Sequence, residues 1–399
     1  YYVNLNYFNI NLCLWCFVKI LLNIIIGFLI FFPFSIFASV DGCKPVWSIE
    51  NILVDEQNKS TSLALQRGEK KATLLAFNFL LERILVNPLE IESLMLQKLD
   101  LDNMVDFKVI KSETTLSNRY IANLSFCFLP NQVSSFLTSK NLSWSELKSR
   151  PILIIPVWKH KFGSHLWTDP NPWRNSFSLS LEKYEGLSQQ VLPKGRIGIE
   201  RSIDSKLALN GNKESISRAI ARGGASRAII TIAEIVPFDV KNSNEIEETL
   251  LKEDKNKFIK LKISAFLHNE QGFRQGLLYK DEILIEENNL DNKLKQISEK
   301  IIYSMETFWK KANAFNAESI SLIRVFINAK NILEWTKGLK KLTNLPGVEE
   351  VIPELLIEEG GYVKVFARGG IKRLISIMLE SNLPISGSYE NLKLNAGKI

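Results

Sequence analysis

Histidine occurs three times in 399 residues, and cysteine and methionine four times each. So few imidazoles and thiols leave little room for a zinc centre, which needs three or four ligands in fixed geometry. Glycine (20) and proline (13) are not enriched, which excludes a collagen-like or low-complexity chain. Apolar residues make up 46% and charged residues 23%, too apolar a balance for a disordered chain. The phosphate-binding patterns G-x-x-x-x-G-K-[ST] and G-x-G-x-x-G are missing, and Lys194-Gly195-Arg196-Ile197-Gly198 satisfies neither. The nucleophile elbow G-x-S-x-G is missing too. No motif specifies a reaction, and no cofactor or metal is expected.

What is present first is a leader. Across residues 12–40 the sole charge is Lys19, and 20–32 is almost wholly Ile, Leu and Phe. Pro33 and the small residues Ser35, Ala38 and Ser39 follow. A basic residue, an apolar core and a small-residue exit are the parts of a signal peptide, with cleavage expected after Ala38. The uncharged stretch 20–40 also reaches the roughly 20 residues that span a bilayer, so a retained N-terminal anchor is the alternative. Either way the protein is expected to be exported, and periplasmic if cleaved. The first residue is Tyr1, so an upstream start is expected. After the leader two cysteines remain, Cys43 and Cys127. A disulfide between them fits an oxidising compartment. The plainer reading is two free thiols acting as small apolar side chains. Val40-Asp41-Gly42-Cys43 has the outline of a lipoprotein cleavage box, but Asp41 fits it poorly.

The net charge is +7 with the basic residues dispersed. The densest run, Lys337-Gly338-Leu339-Lys340-Lys341, reads as a solvated helix face. Nucleic acid is not an expected partner of an exported protein. Other envelope proteins or an anionic membrane surface are.

Behind the segment 1–40 the pattern predicts an α+β chain of three small α/β modules. Module 41–150 carries a helix over 59–86, with Ala72, Leu75, Ala76, Phe79 and Leu80 on its inner face. Strands at 106–116 and 119–129 flank a two-residue turn at Ser117-Asn118, with Tyr120, Ala122, Leu124, Phe126 and Phe128 on one face. A short helix follows Asn131. Module 151–316 has a wholly apolar strand at 152–157, the kind buried on both faces. It continues with helices from Trp173 and over 213–221, a strand at 228–236, a hairpin at 257–267 and 276–285, and a helix over 291–314. The charged stretch 241–257 reads as a surface loop. Module 317–399 gives the order β-α-β-β-α-β, which is ferredoxin-like.

Several stretches together resemble the bacterial family catalogued as domain of unknown function 2066. They include Gly68-Glu69-Lys70-Lys71-Ala72 with Leu81-Glu82-Arg83, the strand from Tyr120 to Pro130, and Ile152-Leu153-Ile154-Ile155-Pro156-Val157. Leu166-Trp167 with Asn171-Pro172-Trp173, Arg222-Gly223-Gly224-Ala225, and Leu345-Pro346-Gly347-Val348 complete the set. In such proteins the segment here reading Leu192-Pro193-Lys194-Gly195-Arg196 usually carries Gly-Asp; this chain departs from that. The resemblance implies an exported protein with no assigned activity, so it brings no catalytic residue.

Candidate sites are thin. His160, His165 and Asp169 supply at most three ligands in one loop, and the plainer reading is a solvated loop. His268 stands at a strand end and is expected to be exposed. Trp158, Trp167 and Trp173 form an aromatic cluster that either stacks on sugar rings or packs the loop. Arg368, Gly369, Gly370, Lys372 and Arg373 put free amides and cations at a helix start, a setting for an anion. The first expectation is a non-catalytic scaffold or accessory binding protein of the envelope. The alternative is a hydrolase or transferase acting on envelope polymer through His165, Asp169 and the tryptophan loop.

Overall fold

The computed structural model describes residues 42–95, 101–193, 197–236, 258–315 and 320–399. The leader 1–40, Gly195-Arg196 and the charged stretch 241–257 lie outside the described residues. Among the described residues, three sheets and ten α-helices make an α+β protein, and contacts gather Lys44–Ile399 into one unit.

The first sheet pairs β1 (Ser48–Gln57), β2 (Val105–Leu116) and β3 (Arg119–Phe128) in the order β1-β3-β2. The hairpin turns at Ser117-Asn118 as the sequence predicts. Tyr120, Ala122, Leu124, Phe126 and Phe128 are all buried on one face. β1 was not predicted. Its register shifts between Ile49 and Ile52, and Asn51 adopts a left-handed conformation (φ 61°). That bulge breaks the alternation by which a strand is recognised.

Helix α1 (Thr61–Ile84) lies on this sheet, and Ser60 caps it by accepting from Leu63 N. The expected inner face is corrected. Ala64, Gly68, Ala72 and Ala76 are buried, whereas Leu75 and Phe79 are 38% and 48% exposed. Small residues every four positions let the helix backbone settle against the strands. A Cβ on Gly68 would stand 2.6 Å from the Tyr120 ring. Helices α2 (Glu90–Met95) and α3 (Pro130–Ser139) complete the module.

The second sheet contains β4 (Ile152–His160), β5 (Gly163–His165), β6 (Gln190–Val191), β7 (Arg227–Val236), β8 (Phe258–Asn269) and β9 (Arg274–Glu286). Its main order is β5-β4-β7-β8-β9, with β4 and β7 parallel. β4 is buried from Ile152 to Trp158, because helices cover both faces. On one side α5 (Ile197–Glu200), α6 (Ser205–Leu209) and α7 (Lys213–Arg222) enclose Leu153, Ile155 and Val157. On the other lie α4 (Pro172–Leu181) and α8 (Leu290–Ala312), joined by a Ser180–Ser298 hydroxyl contact of 2.7 Å. Asn171 caps α4 by accepting from Arg174 N, with Pro172 next.

The third sheet is built from β10 (Ile320–Asn328), β11 (Val348–Ile357), β12 (Gly360–Arg368), β13 (Ile385–Gly387) and β14 (Leu392–Asn395). Its order is β11-β12-β10-β14-β13, packed by α9 (Ile332–Thr343) and α10 (Gly370–Glu380). The β-α-β-β-α-β order is present with one departure. A crossover through α10 returns the chain parallel to β12, and β13 takes that direction. The chain then reverses beyond Gly387, so the last strand pairs parallel with β10.

The segment 143–151 threads all three modules. Trp144 bridges to Leu85 and Phe315. Glu146 accepts from Trp47 Nε1 (2.9 Å) and Gly347 N (2.7 Å). Leu147 O accepts from Trp309 Nε1 at 2.6 Å, and Arg150 N donates to Glu380 at 3.2 Å. Cys43 and Cys127 are both disulfide-bonded, which corrects the free-thiol reading.

Candidate functional site

A cleft of about 1190 Å³ runs between the first module (β1, α1, α2) and the second (α8 and the loop 183–186). Its floor is set by two charged residues one turn apart on the inner side of α8. Glu306 and Lys310 are each 5% exposed at the side chain, with Nζ and Oε1 at 3.6 Å. Glu306 Oε1 accepts from Leu187 N (2.9 Å). Its Oε2 accepts from Ser188 N (2.8 Å), from Ser188 Oγ (2.6 Å) and from the Tyr184 hydroxyl. Gln190 Nε2 donates to Ser188 Oγ and to Ile302 O. A carboxylate held by so many donors anchors the loop 184–190 to the helix.

The protonation states follow from burial. Desolvation, with Glu306 alongside, drives the Tyr184 phenol far above its ordinary range, so it stays a donor. Burial pulls the Lys310 amine down, and Glu306 works against that. Lys310 Nζ also donates to Glu82 O at 2.6 Å, which ties α8 to the C-terminal end of α1. Arg83 donates to the carbonyls of Val46 (3.0 Å) and Ser48 (2.7 Å) and to Glu185 (3.0 Å). Gly186 is required at its place: a Cβ there would stand 2.7 Å from Glu306 Oε2. Chemically, these groups hold one another. A proton taken by Glu306 or given by Tyr184 would break the contacts that hold the loop. The walls that remain available are the partly exposed Phe79 and Tyr303, with Glu92 and Lys183 on the rim.

The sequence reading did not find this cleft. Its signal was present in α8: Glu306 and Lys310 interrupt a buried stripe of Leu294, Ile297, Ile301, Ile302, Met305 and Trp309. Two opposite charges four apart on an apolar face mark a buried pair. Tyr303 and Phe308 on the same helix are 63% and 46% exposed.

None of the predicted site residues lines the cleft. Trp173 is fully buried, with Nε1 bonded to Thr231 Oγ1 at 3.1 Å, and has no ring face for a sugar. Trp167 is half-buried, and its Nε1 donates to Ile203 O at 2.8 Å. His160 and His165 stack at 5.0 Å, and His165 Nδ1 meets Thr168 Oγ1 rather than Asp169. Among the described residues no three His, Cys, Asp or Glu side chains converge on a metal position. His268, expected at the surface, is 2% exposed with Nδ1 at 3.0 Å from Gly272 O. Its turn folds onto the start of α7, where Ser217 Oγ donates to Glu270 O.

At the start of α10, Gly369 (φ 79°) and Gly370 (φ 73°) make the turn with backbone that only glycine adopts readily. Arg368 pairs with Glu349 at 2.7 Å, and Arg373 lies 4.4 Å over the Phe315 ring. Lys372 is exposed. The two arginines are therefore turned to protein neighbours.

No known family model and no curated protein matches the chain. Among solved structures, a formyltetrahydrofolate deformylase from Pseudomonas putida is 10% identical, covering 66% of this chain and 98% of its own, with a TM-score of 0.23. One from Burkholderia mallei is 8% identical over 65% and 94%, with a TM-score of 0.21. A Xanthomonas campestris protein of the DUF330 family is 8% identical over 42% and 91%, at 0.17. Likeness this slight carries no argument about function.

Proposed function

We propose that the chain is an exported envelope protein, a non-catalytic periplasmic scaffold or accessory binding protein; the resemblance to the domain of unknown function 2066 family supports the export. The observation that carries this reading is that the charged groups at the cleft are engaged with the protein's own groups. Glu306, Tyr184 and Ser188 bond to one another, Lys310 reaches across to Glu82 O, and Phe79 and Tyr303 face the opening with Glu92 and Lys183 at its rim. A large concave surface between modules suits binding more than turnover. The disulfide-bonded Cys43 and Cys127 support an oxidising compartment.

The test joins localisation to contact. The chain is expressed in a Gram-negative cell and crosslinked in place, and its crosslinks are mapped. Recovery with the periplasmic fraction, with oxidised cysteines and with recurrent crosslinks from Phe79 and Tyr303 to an envelope protein, is the expected result. Recovery from the cytosol with reduced cysteines overturns it.

A further inference from the structure

Among the described residues the three strand orders end in β1, β2, β5, β9, β11 and β13. β5 and β13 have three residues each, β11 carries Pro353, β2 carries Lys108 and Lys111, and β9 carries Arg274 and Lys280. Brevity, proline and cations are how a sheet edge discourages a further strand. β1 is ten residues long and has no proline, lysine or arginine. Its hydrogen-bonding phase is fixed just past its end, where Asn58 N donates to Asn118 O at 2.8 Å. Antiparallel ladders alternate, so Ile52, Val54 and Glu56 turn their amides and carbonyls to β3, and Leu53, Asp55 and Gln57 turn theirs outward. From Ile52 to Gln57 that is about 20 Å of open ladder. Its bulged end runs into the cleft, where Ile49, Glu50, Asn51 and Ile52 share the lining with Phe79 and Tyr303. Arg83 closes the ladder beyond, on the carbonyl of Ser48.

We propose that β1 accepts one extended basic polypeptide segment as a fourth strand of the first sheet, with one end of that segment lying in the cleft. The inference rests on reading the cleft as a binding surface, and it names the partner's chemistry. Unpaired amides and carbonyls at strand spacing are complementary to another backbone. Charge sets the sign. Glu50, Asp55 and Glu56 of β1 are already paired, with Lys111, Arg119 and Lys71. On the cleft wall Glu82 and Glu92 carry no ion pair among the described residues, against Lys183 alone. Lysine or arginine on the incoming segment meets those two acids, and its apolar residues meet Phe79 and Tyr303. A second copy of this chain fits worse, because β1 against β1 sets three acids beside three acids.

The test titrates the full chain with a labelled peptide of alternating lysine and valine, read by fluorescence anisotropy and by amide exchange. The expected result is saturable binding with slowed exchange at the Leu53 and Asp55 amides. The same peptide N-methylated throughout keeps its side chains and charge but has no amide to donate, and is expected not to bind. Leu53→Pro removes an outward N–H and no bond to β3, so melting should hold while binding falls about tenfold or more. If that variant melts early, exchange in the wild type decides. No binding, equal binding by the methylated peptide, or unprotected Leu53 and Asp55 amides in the bound state overturns the proposal. Equal binding by a glutamate–valine peptide overturns the charge assignment, and a dimer in sedimentation without peptide puts a second copy on the edge instead. Binding lost in F79S/Y303S with those amides unprotected throughout keeps the cleft as a binding surface and sinks strand addition alone. Recovery of the protein from the cytosol sinks the exported role and leaves strand addition standing.

Discussion

The two long helices flanking the cleft break the same rule in opposite ways. α8 places a glutamate and a lysine on its buried face, while α1 leaves three leucines and a phenylalanine exposed. In α8 the charges are tolerated because each inward atom has a partner: two amides, two hydroxyls and a carbonyl. In α1 close approach decides the rotation. The stripe Ala64, Gly68, Ala72, Ala76 seats the backbone on Tyr120 and its strand, and the bulky residues beside it are left outside. Apolar pattern alone thus fails when hydrogen bonds satisfy the inside, and when small residues bury more by fitting closer.

The largest effect is expected where the inward charge is removed. Glu306→Ala leaves Lys310 without its ion-pair partner and takes an acceptor from Tyr184 and two amides, and should cost about 3–5 kcal/mol in denaturant unfolding. A loss below about 1 kcal/mol would show that water replaces the carboxylate and that the pair is no anchor.

Tyr184→Phe removes one charge-assisted bond and should cost about 1.5–3 kcal/mol at neutral pH. It also has a pH signature. The folded phenol holds its proton above the ordinary range, so its contribution is complete below about pH 10 and is lost as pH rises beyond it. Wild type should therefore lose stability in alkali more steeply than the variant. Parallel curves would separate Tyr184 from the network.

Gly68→Val tests the seating of α1. The new Cβ meets the Tyr120 ring and should destabilise by about 1–3 kcal/mol. The smallest effect belongs to the outer face: Leu75→Ser and Phe79→Ser should each change stability by about 0.5 kcal/mol or less. A larger cost in melting experiments would place these residues in the core and collapse the contrast between the helices.

Much of the architecture was legible because periodicity and punctuation agree. The apolar run of β4, the helices from Trp173 and over 213–221, and the third module's order came directly from local chemistry. What escaped depends on contacts far apart in sequence. β1 is hidden by its bulge, and its partner β3 lies beyond α1. His268 is buried because a turn meets a helix start across the fold, which no local pattern records. The cleft is assembled from α1, a loop after α4, and α8, so no single stretch contains it. Only the buried Glu306–Lys310 spacing was readable, and an apolar-stripe reading passes over it.

The segment 143–151 has a thermodynamic consequence. It contributes backbone or side-chain bonds to the first module at Leu85 and Trp47, to the second at Trp309, and to the third at Gly347 and Glu380. A stretch so placed is an axle instead of a hinge, and no one sheet can come apart without pulling on the others. Calorimetry should accordingly record a single cooperative melt for Lys44–Ile399, with its van't Hoff and measured enthalpies in agreement.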